Sequence, residues 1–184
     1  MAGRRWLDAG ASAGGFTDRL LRGGALGVVA VDVGYGQLVW RLRTDARVVV
    51  LERTNIRHLR RDDLPWTPEG VVADLSFISL RRVLPTLVEL ATPDADHVLL
   101  VKPQFEMSAR DDVPKGVVRD PDAWRSAIEG VVDAGRELGL GLAGAVVASP
   151  PGPSGNREFF VHLRRGERSQ SHDLVARAVA EASQ

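Results

Sequence analysis

A chain of 184 residues with 44% apolar content is long enough for one α/β domain with a proper core. Its 24 basic and 24 acidic residues cancel, which argues against a strongly basic nucleic-acid arm, and the lack of cysteine excludes a disulfide framework, a zinc–thiolate site and a cysteine nucleophile. There is no apolar run of about 18 residues, and Met1–Asp8 lacks a signal-peptide core, so a cytoplasmic location without a membrane partner is expected.

In chain order, short β-type apolar runs alternate with amphipathic stretches. Strands are expected at Arg5–Asp8, Gly27–Asp32, Val48–Leu51, Gly70–Asp74 and His97–Lys102, with helical spacing over Gly15–Arg22, Gln37–Arg43 and Ser79–Leu90. A helix over Asp122–Leu138 follows Asp120-Pro121, an N-cap with proline in the first turn. Strand-like Leu142–Ala148 and Glu158–Arg164 are joined by the turn-rich Ser149–Asn156, and a last amphipathic segment spans Asp173–Ala182. Strand–helix alternation implies a parallel sheet covered on both faces, and two strands joined without a helix are most simply antiparallel. The expected fold is therefore one α/β domain over residues 1–184, a mostly parallel seven-stranded sheet with an antiparallel last strand and helices on both faces. The long loop Pro103–Arg119 reads as a candidate lid.

Charge is unevenly spread, with residues 1–92 near +3 and residues 93–184 near −3. Arg41, Arg43, Arg47, Arg53, Arg57, Arg60 and Arg61 form a cluster that suits either phosphate contact or a plain solvated face. Arginine outnumbers lysine 22 to 2, which singles out Lys102 and Lys115.

Asp8-Ala9-Gly10-Ala11-Ser12-Ala13-Gly14-Gly15-Phe16 follows a strand and opens a helix. Glycines there permit a tight turn and close approach of a ligand, and the helix presents unpaired N–H groups. Asp32, at the end of the next strand, sits where an acid takes a ribose hydroxyl pair. Asp8 either caps the turn or faces the ligand. A carboxylate there repels a dinucleotide's pyrophosphate but suits the amino-acid end of S-adenosylmethionine, which favours the latter cofactor.

Asp74 ends the fourth strand, Lys102 ends the fifth and Glu158 begins the last. All three are expected at the carboxyl edge of the sheet, where ligands bind. Such a lysine accepts a hydroxyl proton if neutral, or stabilises an alkoxide if charged; burial and nearby carboxylates push its pKa in opposite directions. A structural ion pair is the plainer alternative.

Several segments carry a family resemblance: Leu-Asp-Ala-Gly-Ala-Ser-Ala-Gly-Gly-Phe-Thr-Asp from Leu7, Val-Asp-Val-Gly-Tyr-Gly-Gln-Leu from Val31, Leu-Glu-Arg-Thr-Asn from Leu51, Ala-Asp-Leu-Ser-Phe-Ile-Ser-Leu from Ala73, Val-Lys-Pro-Gln-Phe-Glu from Val101 and Gly-Pro-Ser-Gly-Asn from Gly152. Across Arg4–Arg164 the chain resembles the TlyA, or hemolysin-A-like, family of FtsJ-like ribosomal RNA 2′-O-methyltransferases. The resemblance implies a Rossmann-like, S-adenosylmethionine-dependent class I methyltransferase fold, ribosomal RNA or a ribosomal subunit as partner, and a lysine–aspartate–lysine–glutamate tetrad. Asp74, Lys102 and Glu158 match the tetrad's last three members. It also implies cofactor contacts from Asp8, Gly10, Ala11, Ser12, Gly14, Gly15, Phe16, Asp32, Asn55 and Asp74, and no metal.

Two departures stand out. No lysine precedes Lys102, so the tetrad's first member has no counterpart here, and the family's amino-terminal RNA-binding domain has none either. Val113-Pro114-Lys115-Gly116 also differs from the family's Gly-Lys-Gly-Gly. The competing expectations are a cofactor-binding segment inactive alone, a small-molecule O-methyltransferase and a membrane-active hemolysin, the last weakly supported by a short terminal helix. For RNA stacking, Tyr35, Trp40, Trp66 and Phe105 are the aromatic candidates.

Overall fold

The computed structural model describes residues 1–107, 116–152, 154–167 and 171–184. Residues 108–115 of the expected lid, Lys115 among them, lie outside the described residues. The chain gathers into two compact units, Met1–Leu75 with Pro85–His97 and Ser76–Leu84 with Val98–Gln184.

The first unit contains β1 (Arg5–Ala9), α1 (Gly15–Arg22), β2 (Gly27–Val31), α2 (Trp40–Arg43), β3 (Val48–Leu51), β4 (Gly70–Ala73) and most of α3 (Leu84–Leu90). β1 pairs in parallel with β2 on one side and β4 on the other, and β2 pairs in parallel with β3. The register sets Asp8 opposite Ala30 and Val72. All of Gly-Val-Val-Ala-Val in β2 is buried, as a parallel strand covered on both faces requires. Leu7, Val28, Val29 and Val71 are wholly inaccessible; truncating Leu7 to alanine costs about 2–5 kcal/mol.

The second unit holds α4 (Pro103–Glu106), α5 (Pro121–Glu137), β6 (Leu140–Val147), β7 (Phe159–Arg165) and α6 (Ser171–Ala182), together with most of β5 (Asp96–Val101). α5 begins as expected: the Asp120 side chain accepts from the Asp122 N–H and Pro121 takes the first turn. Its apolar face buries Ala127, Ile128, Val131 and Val132. β6 and β7 are antiparallel, with a register shift between Leu142 and Gly144. Along the sheet the strand order is β3-β2-β1-β4-β5-β7-β6.

Element limits differ from the sequence reading in instructive ways. The stretch Ser79–Leu90 is not one helix: a 3-10 helix over Leu80–Arg82 precedes α3. The apolar spacing runs through both pieces, but Pro85 has no N–H to continue a helical ladder, so the α-helix restarts with Pro85 in its first turn. Gln37–Arg43 is helical only over Trp40–Arg43, and Pro103–Glu106, read as loop, forms a helical turn. α6 packs against β6 and α5, with Val175, Ala178, Val179 and Ala182 buried. Its apolar face is thus covered within its own unit, and no described helix is long and apolar enough to cross a membrane.

Candidate functional site

The glycine-rich turn lies between β1 and α1. Gly10, Ser12 and Gly14 all have positive φ (86°, 46° and 99°), so the chain alternates through conformations that L side chains rarely adopt. Gly10 and Ala11 both donate their N–H to the Val31 carbonyl, at 2.8 and 3.1 Å. At Gly10 a Cβ would collide with the Asp74 carbonyl oxygen, so the close passage of two loops demands glycine there. Gly14 is explained by packing: a Cβ there would strike the side chains of Leu38 and Leu42. Gly15 faces open space, and Phe16 beside it is half-buried. α1 has no side-chain cap at Gly14, and the N–H of Thr17 in its first turn donates to the Asp8 carboxylate.

Asp8 is fully buried. Its Oδ2 accepts the Thr17 hydroxyl at 2.6 Å, while its Oδ1 is buried without a hydrogen-bond partner. Burial pushes the carboxyl up to about 6, against the hydrogen bonds from Thr17, and the charges of Asp74 and Asp32 push the same way as burial. A buried acceptor left unsatisfied costs free energy. A cationic or N–H donor arriving at Oδ1 relieves that cost, which suits the ammonium end of an amino acid. Thr17 was not singled out in the sequence, although it stands in the family-like segment from Leu7.

Asp32 ends β2 with its carboxylate fixed by two backbone amides: Ser12 N–H donates to Oδ2 at 2.8 Å and Gly34 N–H to Oδ1 at 2.7 Å. Each oxygen keeps a lone pair, and the residue is only half-buried. An oriented, reachable carboxylate of this kind can receive both hydroxyls of a ribose. Beyond it Tyr35 is 68% exposed with the Arg53 guanidinium 4.2 Å from its ring centroid. Asn55, expected to contact the cofactor, serves the local backbone. Its Oδ1 accepts the Arg57 N–H at 3.1 Å and caps the 3-10 helix Ile56–His58. Its amide nitrogen is the part that remains for a ligand.

Asp74 follows the carboxyl end of β4, with its N–H donated to the Ala9 carbonyl at 2.9 Å. In the second unit, Lys102 follows β5 and its Nζ donates to Ser76 Oγ at 3.2 Å. Next to Ser76, Phe77 is 91% exposed with a φ of 63°, and its ring leans on Phe105 at a centroid distance of 5.2 Å. The ring is thus solvent-facing on a backbone conformation that a bulky residue rarely adopts. The sequence reading overlooked Phe77 although it lies within the family-like segment from Ala73. Of the aromatics it did name, Trp40 is 76% exposed and Tyr35 is exposed, whereas Phe105 and Trp66 are half-buried. Trp66 belongs to the opposite edge, where it packs on Gly27 and beneath Arg5, at the starts of β2 and β1.

Glu158 precedes β7 and is 8% exposed, with the Gly152 backbone against its carboxylate. Nearby Asn156, buried at 2%, ties two loops: its Oδ1 accepts the Val118 N–H, its Nδ2 donates to the Gly116 carbonyl, and its own carbonyl accepts the Gly152 N–H. The arginine cluster is largely engaged at home. Arg41 pairs with Asp18, Arg43 with Glu52, Arg47 with Asp45 and Arg60 with Asp63. Arg61 donates to the Glu89 and Ala91 carbonyls. The solvated-face reading therefore fits this cluster better than a dedicated phosphate site.

A parallel sheet that closes on an antiparallel hairpin, with an acid at the end of β1, an acid at the end of β2 and a glycine turn between them, defines the Rossmann-like methyltransferase class. Residues 2–165 match the FtsJ-like methyltransferase family. The 16S/23S rRNA (cytidine-2′-O)-methyltransferase TlyA of Mycobacterium tuberculosis is 53% identical over 186 residues, covering 98% of this chain and 69% of that protein. Among solved structures, a protein described as a hemolysin from Lactococcus lactis superposes with a TM-score of 0.93 at 38% identity, covering 100% of this chain and 89% of that one. At 17% identity, and so as a likeness of fold alone, the 1,6-didemethyltoxoflavin-N1-methyltransferase of Burkholderia thailandensis gives a TM-score of 0.64, covering 90% of this chain and 72% of that one. The chain belongs to the FtsJ-like methyltransferase family, in its TlyA-type, hemolysin-A-like branch.

Proposed function

We propose that this chain is an S-adenosylmethionine-dependent methyltransferase that modifies ribose 2′-hydroxyls of ribosomal RNA in the cytoplasm, and that residues 1–184 work as one catalytic domain. The observation that carries the reading is Lys102, held at the end of β5 by a hydrogen bond to Ser76, whose chain neighbour Phe77 exposes its ring. The family match across both units and the 53% identity to a ribose methyltransferase support it.

The residues fit the cofactor. The Asp8 Oδ1, buried without a partner, suits its ammonium, and the two-amide cradle of Asp32 leaves acceptors for its ribose hydroxyls. S-adenosylmethionine, when bound, supplies an electrophilic methyl group on a sulfonium. The protein's part is alignment and proton handling. Lys102 acts on the attacking hydroxyl, taking its proton as the amine or stabilising the alkoxide as the ammonium. Asp74 and Glu158 match the same tetrad by motif, and Phe77 gives a nucleobase a ring to stack on.

Residues 1–101 contain no lysine, so the first lysine of the tetrad is not supplied from this stretch. That favours one second reading, a segment that binds the cofactor but does not transfer alone. The deciding experiment is transfer of labelled methyl from S-adenosylmethionine to ribosomal subunits by wild type and by Lys102→Ala, with cofactor binding measured in parallel. Transfer by wild type, lost in Lys102→Ala with binding kept, is the expected result. Equal transfer by both removes the lysine's role. Binding without any transfer selects the second reading.

A further inference from the structure

The carboxylate of Glu106 is the most sheltered acid among the described residues of the second unit, its side chain 1% exposed, and the transfer chemistry has no direct use for it. It closes the segment Val101-Lys102-Pro103-Gln104-Phe105-Glu106, four residues after Lys102. The single turn of α4, begun by Pro103, carries the chain from Lys102 to Glu106. There Glu106 receives three donors from one short stretch. Ser79 Oγ donates to Oε2 at 2.6 Å, the Leu80 N–H to Oε1 at 2.6 Å, and Arg81 Nε to Oε2 at 3.3 Å. Arg81 Nη2 also donates to the Glu106 carbonyl at 2.5 Å. Leu80 opens a 3-10 helix, so its N–H has no acceptor within that helix, and Glu106 supplies one.

The same two stretches meet at two further places. Lys102 Nζ donates to Ser76 Oγ, and the rings of Phe105 and Phe77 lean together. Those outer contacts are open to water: Ser76 is exposed and Phe77 is 91% exposed. Contacts in water hold geometry weakly, whereas a buried, charge-assisted set of hydrogen bonds holds it firmly. Phe77 stays at a φ of 63° although nothing buries its ring. Strained backbone persists only where surrounding structure over-determines it, and the nearest sheltered fastening is the Glu106 cluster, two to four residues along the chain.

We propose that Glu106 is a positioning residue. It clamps Ser79–Arg81 to the turn after β5 and so fixes Ser76 against Lys102 and Phe77 against Phe105. This rests on the reading of Lys102 as the group that handles the hydroxyl proton. The clamp needs a carboxylate. An amide at this position would face donors on both oxygens and would leave the Arg81 guanidinium without its counter-charge.

The chain makes the test direct, because Lys102 and Lys115 are its only lysines. Protein labelled with carbon-13 at the lysine ε-position gives two side-chain signals, and Lys102→Ala assigns them. In Glu106→Gln the Lys102 signal moves from its wild-type position. Turnover on ribosomal RNA falls about tenfold or more, the effect of a misplaced reacting group, with cofactor affinity within about twofold of wild type. Arg81→Gln, at an exposed side chain, moves the Lys102 signal in the same direction and serves if Glu106→Gln does not fold. An unmoved Lys102 signal in a folded variant overturns the proposal, as does unchanged turnover. If Lys102→Ala itself keeps full turnover, the reading of Lys102 falls instead, and the carbon signals still report whether the clamp exists.

Discussion

Thr17 of α1 donates its hydroxyl across 2.6 Å to Asp8 Oδ2 in β1, and both residues are completely buried. The pair places an acid where water cannot solvate it. Burial raises the Asp8 carboxyl from 3.8 to about 6, the bonds from Thr17 restrain the rise, and the charges of Asp74 and Asp32 add to it. An acid that holds its proton more tightly folded than unfolded stabilises the fold while protonated. That stabilisation is complete below the unfolded value near 4 and is lost as the pH rises through about 6. Asp8→Asn cannot lose it. Wild type should therefore lose on the order of 3 kcal/mol relative to Asp8→Asn between pH 4 and pH 7. Urea unfolding of both proteins across that range measures the gap, and a constant difference would refute this account of Asp8.

Cofactor binding should be linked to the same proton. A cationic ammonium at Oδ1 favours the charged carboxylate, so binding near pH 6 should release a proton. The affinity of wild type for S-adenosylmethionine should rise between pH 5 and pH 7, and that of Asp8→Asn should not. Calorimetry in two buffers of different ionisation heat counts the proton directly. No proton release near pH 6 separates Asp8 from the cofactor.

Gly10→Ala should be among the most damaging small substitutions in the turn. It imposes a side chain at a φ of 86° and drives a Cβ into the Asp74 carbonyl oxygen. Together these should cost about 2–4 kcal/mol. Gly36→Ala shares the positive φ but meets open space, so it should cost only about 1–2 kcal/mol. Thermal melts of the two variants separate collision from conformation, and equal losses would deny the close passage of the two loops its importance.

Phe77→Gly opposes stability and activity in one residue. Glycine relieves the backbone at a φ of 63° and surrenders little burial, because the ring is 91% exposed. Stability should stay within about 1 kcal/mol of wild type. If the ring stacks on a base, transfer to RNA should drop roughly tenfold or more, since such stacking is worth about 1–3 kcal/mol. Methyl transfer and a urea midpoint on the same preparation test both halves. Full transfer without the ring ends its proposed role.

Much of the frame was legible because it is written in periodicity. The all-apolar Gly27–Val31 run and the alternation of strands with amphipathic stretches led to the parallel strands, and the Pro-Gly-rich link Ser149–Asn156 led to the antiparallel pair. The acids at strand ends, Asp8, Asp32 and Asp74, were legible for the same reason: a charge closing an apolar run has few structural excuses. What escaped was tertiary. Thr17 acquires meaning only when α1 turns its hydroxyl onto Asp8. Glu106 reads as an ordinary surface acid until a single helical turn buries it against Ser79 and Leu80. Phe77 reads as core, since apolar content says nothing of a residue held outward at positive φ. The arginine cluster was visible, but its pairing with Asp18, Glu52 and Asp45 was not, because those partners come from other elements or turns.

Asp32 and its two amides are expected to seat the ribose of S-adenosylmethionine. The most direct test is calorimetric titration of the folded chain with that cofactor beside Asp32→Ala, with circular dichroism confirming that the variant folds. Wild type should bind at a single site, and the variant should bind roughly tenfold or more weakly, the value of hydrogen bonds to a charged acceptor. Equal binding by both proteins, or no binding by folded wild type, would contradict the account.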